Sequence, residues 1–210
     1  AFLEFSKHFR KEGLPVPEIY AEDRSKGIYL EEDLGDETLF QLLSKSRGPD
    51  GLGADAVSVY HKVVDMLPRF QIVAGKTLDY GHCYPRASFD KQSMAWDLNY
   101  FKYYFLRLAK IPFDEQSLEN DFNTLSDFLL SVPRDYFLYR DFQSRNIIVH
   151  GYDFYLIDFQ DALMGPLLYD LVALLRDSYI VIDQEKLEQL LQYYHDHLPP
   201  SHPYAGKLED

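Results

Sequence analysis

Cysteine and positive charge are scarce in this sequence, and each shortage argues against a class of protein. The single cysteine, Cys83, leaves no partner for an intrachain disulfide and no thiolate set for a structural zinc site. Lysine and arginine number 21 against 34 aspartate and glutamate, and the net charge of −13 argues against nucleic acid or an anionic membrane as the main partner. No apolar run approaches the ~18 residues of a bilayer-spanning helix. A reducing cytoplasm is the simplest expected location.

Aromatic residues are abundant instead, and most of the chain is patterned as helix. The 210 residues include 17 Tyr and 15 Phe, which is enough apolar material for a sizeable core. Strand patterns are confined to residues 19–32 and 137–158. The sequence therefore predicts an α+β protein in which helices predominate. Helical spacing of apolar residues is clearest over residues 1–12, 54–75, 89–110 and 118–129.

Particular residues are predicted to end or begin these helices. Gly13 is expected to cap the first helix at its C-terminus, and Asp36 is expected to be the N-cap of a helix that starts after Gly35. Pro68 should bend or divide the helix over residues 54–75, because proline has no N–H to donate within a helix.

The tripeptide GKT at residues 75–77 invites interpretation as a nucleotide-binding P-loop. That motif requires a second glycine five positions before the first residue of GKT, where this chain has Phe70. The segment before GKT is also patterned as a helix, whereas a P-loop follows a strand. We therefore do not assign a P-loop to this sequence.

A polar set lies in the segment FLYRDFQSRNIIVHGYDFYLIDFQDA, residues 137–162. Asp141 and Asn146 follow a D-x-x-x-x-N spacing, and a short apolar strand comes directly after them. A turn at GYD leads to a second strand that ends at Asp158. If the two strands form a hairpin, its open end carries both Asn146 and Asp158, and their side-chain oxygens meet. Mg²⁺ favours such oxygen ligands and keeps water and phosphate oxygens for its other positions.

Phosphoryl transfer requires an arrangement of this kind. Its transition state is loose, so catalysis depends mainly on positioning and on neutralising charge. Asp141 lies one loop away from the expected metal ligands, within reach of a hydroxyl beside a metal-bound phosphate. A lone Asp in a loop is usually a cap or a solvated charge. Three polar residues together in their expected strand and loop contexts favour a functional site.

The segments RDFQSRN and LIDFQDA resemble the catalytic and metal loops of the protein-kinase-like fold, whose protein-kinase forms are H-R-D-x-x-x-x-N and D-F-G. With GPLLYDLVALLRD close behind, the pattern is most similar to the aminoglycoside phosphotransferase family. Within that family it resembles the bacterial branch of cell-wall amino-sugar kinases, which act on N-acetylmuramate and N-acetylglucosamine. The resemblance spans essentially the whole chain and is strongest over residues 137–179. It implies a partial N-terminal lobe with the hinge at residues 1–34 and a helical C-terminal lobe at residues 35–210.

The resemblance also implies roles for the residues that match. Asp141 would be the catalytic base with Arg140 beside it, and Asn146 and Asp158 would be the Mg²⁺ ligands. Asp170 would brace the catalytic loop from the following helix, with Arg140 as one contact, although an Asp that opens a helix is equally suited to be its N-cap.

The hinge and the ligands follow from the same resemblance. Glu32, Asp33 and Leu34 would form the hinge, where the Glu32 carbonyl and the Leu34 N–H would meet the adenine of ATP. The implied cofactors are ATP and Mg²⁺, and the implied partner is a sugar-like small molecule. We expect no nucleic acid or membrane partner, and the oligomeric state stays open.

This chain departs from the kinase pattern at several positions. Tyr139 replaces the usual His, which alters loop packing but removes no metal ligand. Gln160 replaces the Gly of D-F-G, and Arg145 is either a functional charge or a surface one. The glycine-rich loop and the nucleotide-binding Lys would precede residue 1. We therefore expect the chain to be an excerpt that holds the second half of an ATP site and is inactive by itself.

An aromatic helix supplies candidate acceptor-binding residues. Trp96 is the only tryptophan, and it shares one face of the helix with Tyr100 and Tyr103, while Asp97 and Asn99 lie beside it. Sugars commonly stack on aromatic faces while polar neighbours bind their hydroxyls. The alternative interpretation is a core helix that the aromatics pack into the interior.

Three rival functions remain beside a small-molecule kinase for amino sugars. An aminoglycoside antibiotic kinase would need an acidic acceptor pocket, with which the net charge of −13 is compatible. A non-catalytic binding module on a kinase fold is the rival of a different class, and the intact Asp–Asn–Asp set argues against it. A protein kinase is disfavoured, because Gly165 follows Asp158 by only seven positions and leaves no room for an activation loop.

Overall fold

A computed structural model describes residues 1–48 and 51–206 as helices gathered around short antiparallel strand pairs. Residues 49–50 and 207–210, which the expected C-terminal lobe also included, lie outside the described residues. The helices are α1 (Phe2–Lys11), α2 (Leu39–Lys45), α3 (Ala54–Val64), α4 (Lys91–Phe101), α5 (Glu115–Leu129), α6 (Tyr169–Leu175) and α7 (Gln184–Asp196). The strands are β1 (Ile19–Asp23), β2 (Ile28–Glu31), β3 (Arg47–Gly48), β4 (Gly51–Leu52), β5 (Tyr136–Leu138), β6 (Ile147–His150), β7 (Asp153–Leu156) and β8 (Leu163–Gly165).

Strand pairing is local except in one case. Strands β1 and β2, β3 and β4, and β6 and β7 are sequence neighbours that pair antiparallel, whereas β5 pairs antiparallel with β8 across the intervening hairpin. The β5–β8 pair therefore brackets the polar segment of the sequence and places its two loops on one side of the fold. None of the helices in the described part of the chain combines the length and apolarity that bilayer crossing requires.

The expected helix boundaries are confirmed with one exception. Gly13 follows α1 with a φ of +70°, a left-handed conformation that glycine adopts without steric cost. The prediction of Asp36 as the N-cap of α2 is wrong, because Thr38 occupies that position. Its hydroxyl accepts from the Gln41 N–H, and the Gln41 side chain accepts from the Thr38 N–H at 2.9 Å, so a T-x-x-Q capping box outcompetes the isolated Asp.

The core is built from aromatic rings that α1 brings onto the strand region. Phe9 of α1 lies with its ring centroid 4.9 Å from Phe70 and 5.0 Å from Phe137 of β5, and it also contacts Phe159. All four side chains are buried. Burial of large rings in this edge-to-face arrangement adds to the apolar burial itself and fixes α1 against the loop that contains Asp158.

The predicted division near Pro68 is confirmed. Helix α3 ends at Val64, and the chain continues through a wide π-helical turn at Arg69–Val73 into a 3₁₀ turn at Ala74–Lys76. This second part packs against β5, with Gly75 at the point of closest approach. A Cβ on Gly75 would lie 2.9 Å from the Phe137 Cβ, so the glycine of GKT serves backbone packing in this fold.

The β6–β7 hairpin is fastened to the linkers on both sides of the β1–β2 pair. The Val149 N–H donates to the Glu37 carbonyl at 2.7 Å, and the Leu156 N–H donates to the Pro15 carbonyl at 3.0 Å. The His150 Nδ1 lies 3.1 Å from the Leu34 carbonyl. The hairpin thus forms one framework with the segment expected to be the hinge.

We predict that Gly75→Ala lowers the free energy of unfolding by about 1–3 kcal/mol, because the new methyl group overlaps the Phe137 Cβ in a closely packed contact. Urea denaturation followed by circular dichroism measures this change. Gly53→Ala is the matched control, since a Cβ there meets nothing closer than the Ser46 oxygen at 3.8 Å. A Gly75→Ala variant as stable as the wild type would contradict the assigned contact.

Candidate active site

The open end of the β6–β7 hairpin brings Asn146 and Asp158 together, as the sequence predicts. Ile147 pairs with Leu156 at the last position of the ladder. One residue beyond, the Ile157 N–H donates to the Asn146 carbonyl at 3.2 Å. Asn146 and the residue before Asp158 are therefore hydrogen-bonded neighbours, and both expected metal ligands lie at the same end of the hairpin.

Asp141 is joined to this pair through its own carbonyl group. The Asn146 Nδ2 donates to the Asp141 carbonyl at 2.9 Å, and the Gln143 N–H donates to the same oxygen at 2.9 Å. The bonds close the loop between the two residues, while the Asp141 carboxylate reaches solvent. The amide nitrogen of Asn146 is thereby engaged, and its Oδ1 is the atom left to act as an oxygen ligand.

The environment of Asp141 disfavours its ionised form. Desolvation by the surrounding protein is the largest influence and raises the pKa of this carboxyl above its ordinary value. Arg140 opposes the increase, and the carboxylates of Asp161, Asp158 and Asp97 add to it. A pKa shifted upward makes Asp141 a stronger base in its ionised form, which suits proton abstraction from a hydroxyl.

Two residues of the site have a left-handed backbone although neither is glycine. Arg140 has a φ of +78° and Asp158 a φ of +63°. Such conformations cost on the order of 1–3 kcal/mol each and persist only where neighbouring contacts hold them. Their position next to Asp141 and at an expected metal ligand is typical of functional sites.

Asp170 supplies one of the contacts that hold the loop. Its carboxylate accepts the N–H of Tyr139 at 2.9 Å and the N–H of Arg140 at 3.0 Å. Asp170 lies within the first turn of α6, whose N-cap is Leu168, so it does not act as the N-cap. The carboxylate thus contacts the loop before Asp141 through two backbone N–H groups, and the Arg140 guanidinium binds a different partner, Asp97.

Sequence reasoning missed the residues that support Asp170 from behind. The Gln71 Nε2 lies 3.3 Å from the Asp170 Oδ2, and the Tyr194 hydroxyl donates to the Gln71 Oε1 at 2.6 Å. All three side chains are buried. No local pattern marks Gln71 as polar support, since it occupies the apolar face of its own helical turn.

A second buried carboxylate fastens the other end of the loop. Asp177 accepts both the N–H of Ser144, at 2.9 Å, and its hydroxyl. The neighbouring Arg145 stacks its guanidinium on Tyr179 at 3.6 Å from the ring centroid. Arg145 is thus a packed surface cation. The only sequence signal for Asp177 was its place in the run LLRDSY.

Two of the three candidate acceptor residues lie beside the catalytic loop. The Asp97 carboxylate and the Arg140 guanidinium form an ion pair at 2.9 Å, and Trp96 lines a small cavity together with Arg140 and Asp161. Asn99 lines neither of the cavities identified around Arg140 in the described residues, so the grouping of Asn99 with the other two is not supported.

The interpretation of α4 as a helix whose aromatic face is buried is wrong. Trp96 is 47% exposed, Tyr100 66% and Tyr103 54%. The helix continues beyond Phe101 as a π-helical turn that keeps these rings at the surface. They are available for contact with a ligand or with another part of a protein.

The expected hinge presents backbone groups in the required pattern. The Glu32 N–H donates to the Glu18 carbonyl at 2.8 Å, and the Asp33 carboxylate accepts the Gly35 N–H at 2.9 Å. Within residues 1–48 and 51–206, the Glu32 carbonyl and the Leu34 N–H have no hydrogen-bond partner. An acceptor and a donor two residues apart can bind one edge of a purine.

The donor set also fits Mg²⁺. Asn146 Oδ1 and the Asp158 carboxylate provide hard oxygen ligands, and Gln160 donates to the Asp158 Oδ1 and so leaves Oδ2 available. Among the described residues, no three side chains of the His, Cys, Asp and Glu types form a ready cage. Proteins commonly hold Mg²⁺ by one or two side chains together with phosphate and water.

Comparison with protein families and curated proteins identifies relatives of the chain. A family model described as the phosphotransferase enzyme family matches residues 1–204. An N-acetylmuramate/N-acetylglucosamine kinase of Neisseria meningitidis serogroup B is 28% identical over 184 residues, which cover 85% of this chain and 52% of that protein. A kinase of the same name from Pseudomonas putida is 27% identical over 183 residues, with 85% and 49% covered. The chain spans about half the length of these relatives.

Solved structures with this fold confirm the expected fold class, an α+β protein-kinase-like fold. An ADP-bound aminoglycoside phosphotransferase, APH(2'')-Ib, superimposes with a TM-score of 0.64 at 18% identity, covering 91% of this chain and 64% of that one. The choline kinase LicA from Streptococcus pneumoniae gives a TM-score of 0.58 at 20% identity, with 93% and 62% covered. At these identities the similarity is one of fold.

We predict that the free energy of unfolding decreases as pH rises and that Asp170 causes this decrease. Burial raises the pKa of this carboxyl to about 7, above the ~3.9 of an unfolded aspartate. The folded protein therefore binds this proton more tightly than the unfolded chain does. The resulting contribution to stability is fully present at low pH and is lost as pH rises from about 4 to about 7. Urea denaturation should show that the free energy of unfolding of the wild type falls by up to about 2 kcal/mol from pH 5 to pH 7.5. Asp170→Asn should not show this decrease.

The control for this measurement is Asp183→Asn at the N-cap of α7, where Asn is also an effective cap. Hydrogen bonding to Lys186 lowers the pKa of Asp183, so it titrates below the tested range. The control should keep the wild-type decrease. An Asp170→Asn variant with the same decrease would contradict the assignment.

Proposed function

Because this chain belongs to the phosphotransferase enzyme family, we propose that the full-length protein is a kinase that transfers a phosphoryl group from ATP to a hydroxyl of a small molecule, with an amino sugar as the acceptor. One observation carries the proposal. Asn146 and Asp158 meet at the end of one hairpin, and the Asn146 amide is bonded to the backbone of Asp141. The three residues therefore act as one unit.

Asp141 orients the acceptor and removes its proton. Its carboxylate reaches solvent, while its backbone is fixed by two hydrogen bonds and by the neighbouring loop contacts to Asp170. A carboxylate held in this way can accept a hydrogen bond from the acceptor hydroxyl and align the oxygen with the phosphorus to be attacked. The raised pKa increases its proton affinity when ionised.

Asn146 and Asp158 would hold Mg²⁺ against the nucleotide phosphates. When bound, Mg²⁺ supplies charge neutralisation at the transferred phosphoryl group. The chain contributes Asn146 Oδ1 and Asp158 Oδ2, and its hydrogen bonds to the other atoms of these side chains orient them. The Glu32 carbonyl and the Leu34 N–H, which have no hydrogen-bond partner among the described residues, would bind adenine at the hinge between a lobe ending near residue 34 and the helical lobe after it.

An amino sugar is the acceptor class that the relatives support. The curated kinases that match this chain are named for N-acetylmuramate and N-acetylglucosamine. Trp96 provides an exposed aromatic face close to Arg140 and Asp161, where a sugar ring can stack and its hydroxyls can be bound.

An aminoglycoside is the second candidate acceptor, and the charge around Asp141 favours it. Asp97, Asp158 and Asp161 all act on Asp141 electrostatically, against one nearby cation, Arg140. An acidic surrounding of this kind would attract a polycation. The structural neighbour APH(2'')-Ib is named for aminoglycosides.

We predict that the full-length protein, with ATP and Mg²⁺, phosphorylates N-acetylglucosamine or N-acetylmuramate in preference to gentamicin or choline. Asp141→Asn should retain nucleotide binding and lose about 10²–10⁴-fold in kcat, because Asn cannot accept the proton. Radiolabelled phosphate transfer and calorimetry measure the two quantities. Asp153→Asn, at the exposed first residue of β7, is the matched control and should behave as wild type. Full activity of Asp141→Asn would exclude the assigned base.

We predict that Trp96→Ala raises the KM for the sugar about two- to tenfold and changes the KM for ATP little, because it removes one stacking surface. Steady-state kinetics with each substrate varied in turn distinguishes the two effects. Tyr104→Ala is the control, since Tyr104 is likewise an exposed aromatic of the same helical segment but lies two turns further along. An unchanged sugar KM in Trp96→Ala would exclude stacking.

A further inference from the structure

Arg86 brings a second guanidinium group into the small cavity beside the catalytic loop. The cavity has a volume of about 50 Å³, and its charged lining residues are Arg86, Arg140 and Asp161. Two cations against one carboxylate make this lining net positive, although the chain as a whole carries a net charge of −13. The volume accommodates a group of a few atoms, since one water molecule occupies about 30 Å³ of liquid. A small anionic group is therefore the complementary occupant.

The guanidinium of Arg86 is held in one orientation by Asp90. Its Nε donates to the Asp90 Oδ1 at 3.1 Å and its Nη2 donates to the Asp90 Oδ2, so the pairing is bidentate and fixes the guanidinium plane. Asp90 is itself fixed as the N-cap of α4, where its carboxylate accepts the N–H groups of Gln92 and Ser93. Within the described part of the chain, the Nη1 of Arg86 has no hydrogen-bond partner. The two N–H groups of Nη1 therefore stay available in a defined plane.

The segment that carries Arg86 is joined to the strands that frame the site. The Met164 N–H of β8 donates to the Ala87 carbonyl at 3.0 Å, and the Phe89 N–H donates to the Met164 carbonyl at 2.7 Å. Strand β8 pairs with β5, which leads into the catalytic loop. The backbone around Arg86 thus belongs to the same hydrogen-bonded framework as the loop that contains Asp141.

Arg86 is also a neighbour of the expected acceptor-binding aromatic residue. Its guanidinium carbon lies 5.9 Å from the centroid of the Trp96 ring, and Trp96 lines the same cavity. The Arg86 side chain is 38% exposed, so it is partly removed from water and still accessible to a ligand. A sugar bound at Trp96 would have this guanidinium within reach of one of its ring substituents.

From this arrangement we infer that Arg86 determines acceptor specificity by binding, through its Nη1, the carboxylate of an acidic amino sugar. The inference rests on the proposed function, because it takes a sugar at Trp96 as the acceptor. The two sugars named for the curated relatives differ in the group concerned. N-acetylmuramate carries a lactyl ether whose carboxylate is ionised at neutral pH, whereas N-acetylglucosamine has a hydroxyl there. Arg86 therefore favours N-acetylmuramate over N-acetylglucosamine, and its charge disfavours the amino groups of an aminoglycoside.

The first test compares two acceptors with the wild-type, full-length protein in the presence of ATP and Mg²⁺. One acceptor is N-acetylmuramate, and the other is its analogue in which a neutral carboxamide of nearly equal size replaces the lactyl carboxylate. Steady-state phosphate transfer should give a kcat/KM about 10- to 100-fold higher for the acid, because the amide forms no charge-assisted pair with the guanidinium. Equal kcat/KM values for the acid and the amide would overturn the inference.

The second test measures the same acid-to-amide ratio of kcat/KM in variants of Arg86. In Arg86→Gln the ratio should fall to about 1–3, and in Arg86→Lys, which keeps the cation but loses the planar fork, it should be intermediate. The matched control is Arg107→Gln, which should keep the wild-type ratio. Arg107 likewise pairs with a carboxylate, that of Glu115, and lies 5.1 Å from the Phe113 ring centroid, but it lines neither cavity at Arg140.

The ratio separates the inference from its premise and from a purely structural effect. Both acceptors are measured on the same protein, so a variant with lower stability or lower overall activity still reports the ratio. If the full-length protein phosphorylates neither N-acetylmuramate nor N-acetylglucosamine, the proposed function and the inference are both overturned. If it phosphorylates them and Arg86→Gln keeps the wild-type ratio, the proposed function stands and the role of Arg86 is excluded.

Discussion

The two hydrogen bonds from the Tyr139 and Arg140 N–H groups to the buried Asp170 carboxylate are the contact on which the rest of the site depends. They fix the backbone just before Asp141, and Arg140 is held there with a φ of +78°. A carboxylate removed from water is costly unless donors surround it. Gln71 and Tyr194 continue the set of donors into the interior, so the loop is anchored to the core through a fully polar, buried connection.

The site therefore combines strained backbone with dense support. Asp170 holds one end of the loop at residues 139–146, and Asp177 holds the other end through Ser144. The Asn146 amide closes the loop by donating to the Asp141 carbonyl. Each of these contacts stabilises a loop conformation that the chain would not adopt by its local preferences. Preorganised groups of this kind act on charge that develops during a reaction without having to rearrange.

Much of this arrangement could be predicted from the sequence because it depends on local patterns. Two short apolar runs joined by the turn residues GYD predicted the β6–β7 hairpin, and the hairpin geometry predicted that Asn146 and Asp158 lie at the same end. Gly13 ends α1 and Pro68 divides the following helical segment through their own backbone properties, so both effects were also predictable. The Thr38 capping box had a local signal as well, but Asp36 two residues earlier matched the simpler rule.

Contacts between distant segments could not be predicted in the same way. Gln71 reaches Asp170 across 99 positions of sequence, and Tyr194 reaches Gln71 across 123. The sequence left open whether the aromatic face of α4 is exposed or buried, because helical spacing shows which residues share a face but not whether that face is covered. Asn99 was grouped with Trp96 and Asp97 by adjacency, and it is not among the residues that line the two cavities at Arg140.

The contacts of the β6–β7 hairpin with the carbonyls of Glu37, Pro15 and Leu34 determine how far the hairpin lies from the segment at residues 32–34. The backbone groups at residues 32–34 and the side chains of Asn146 and Asp158 are joined through these contacts. The contacts set the distance between the two groups in the folded chain. Under the proposed function, a nucleotide bound at both places has to match this distance with its own length from base to terminal phosphate.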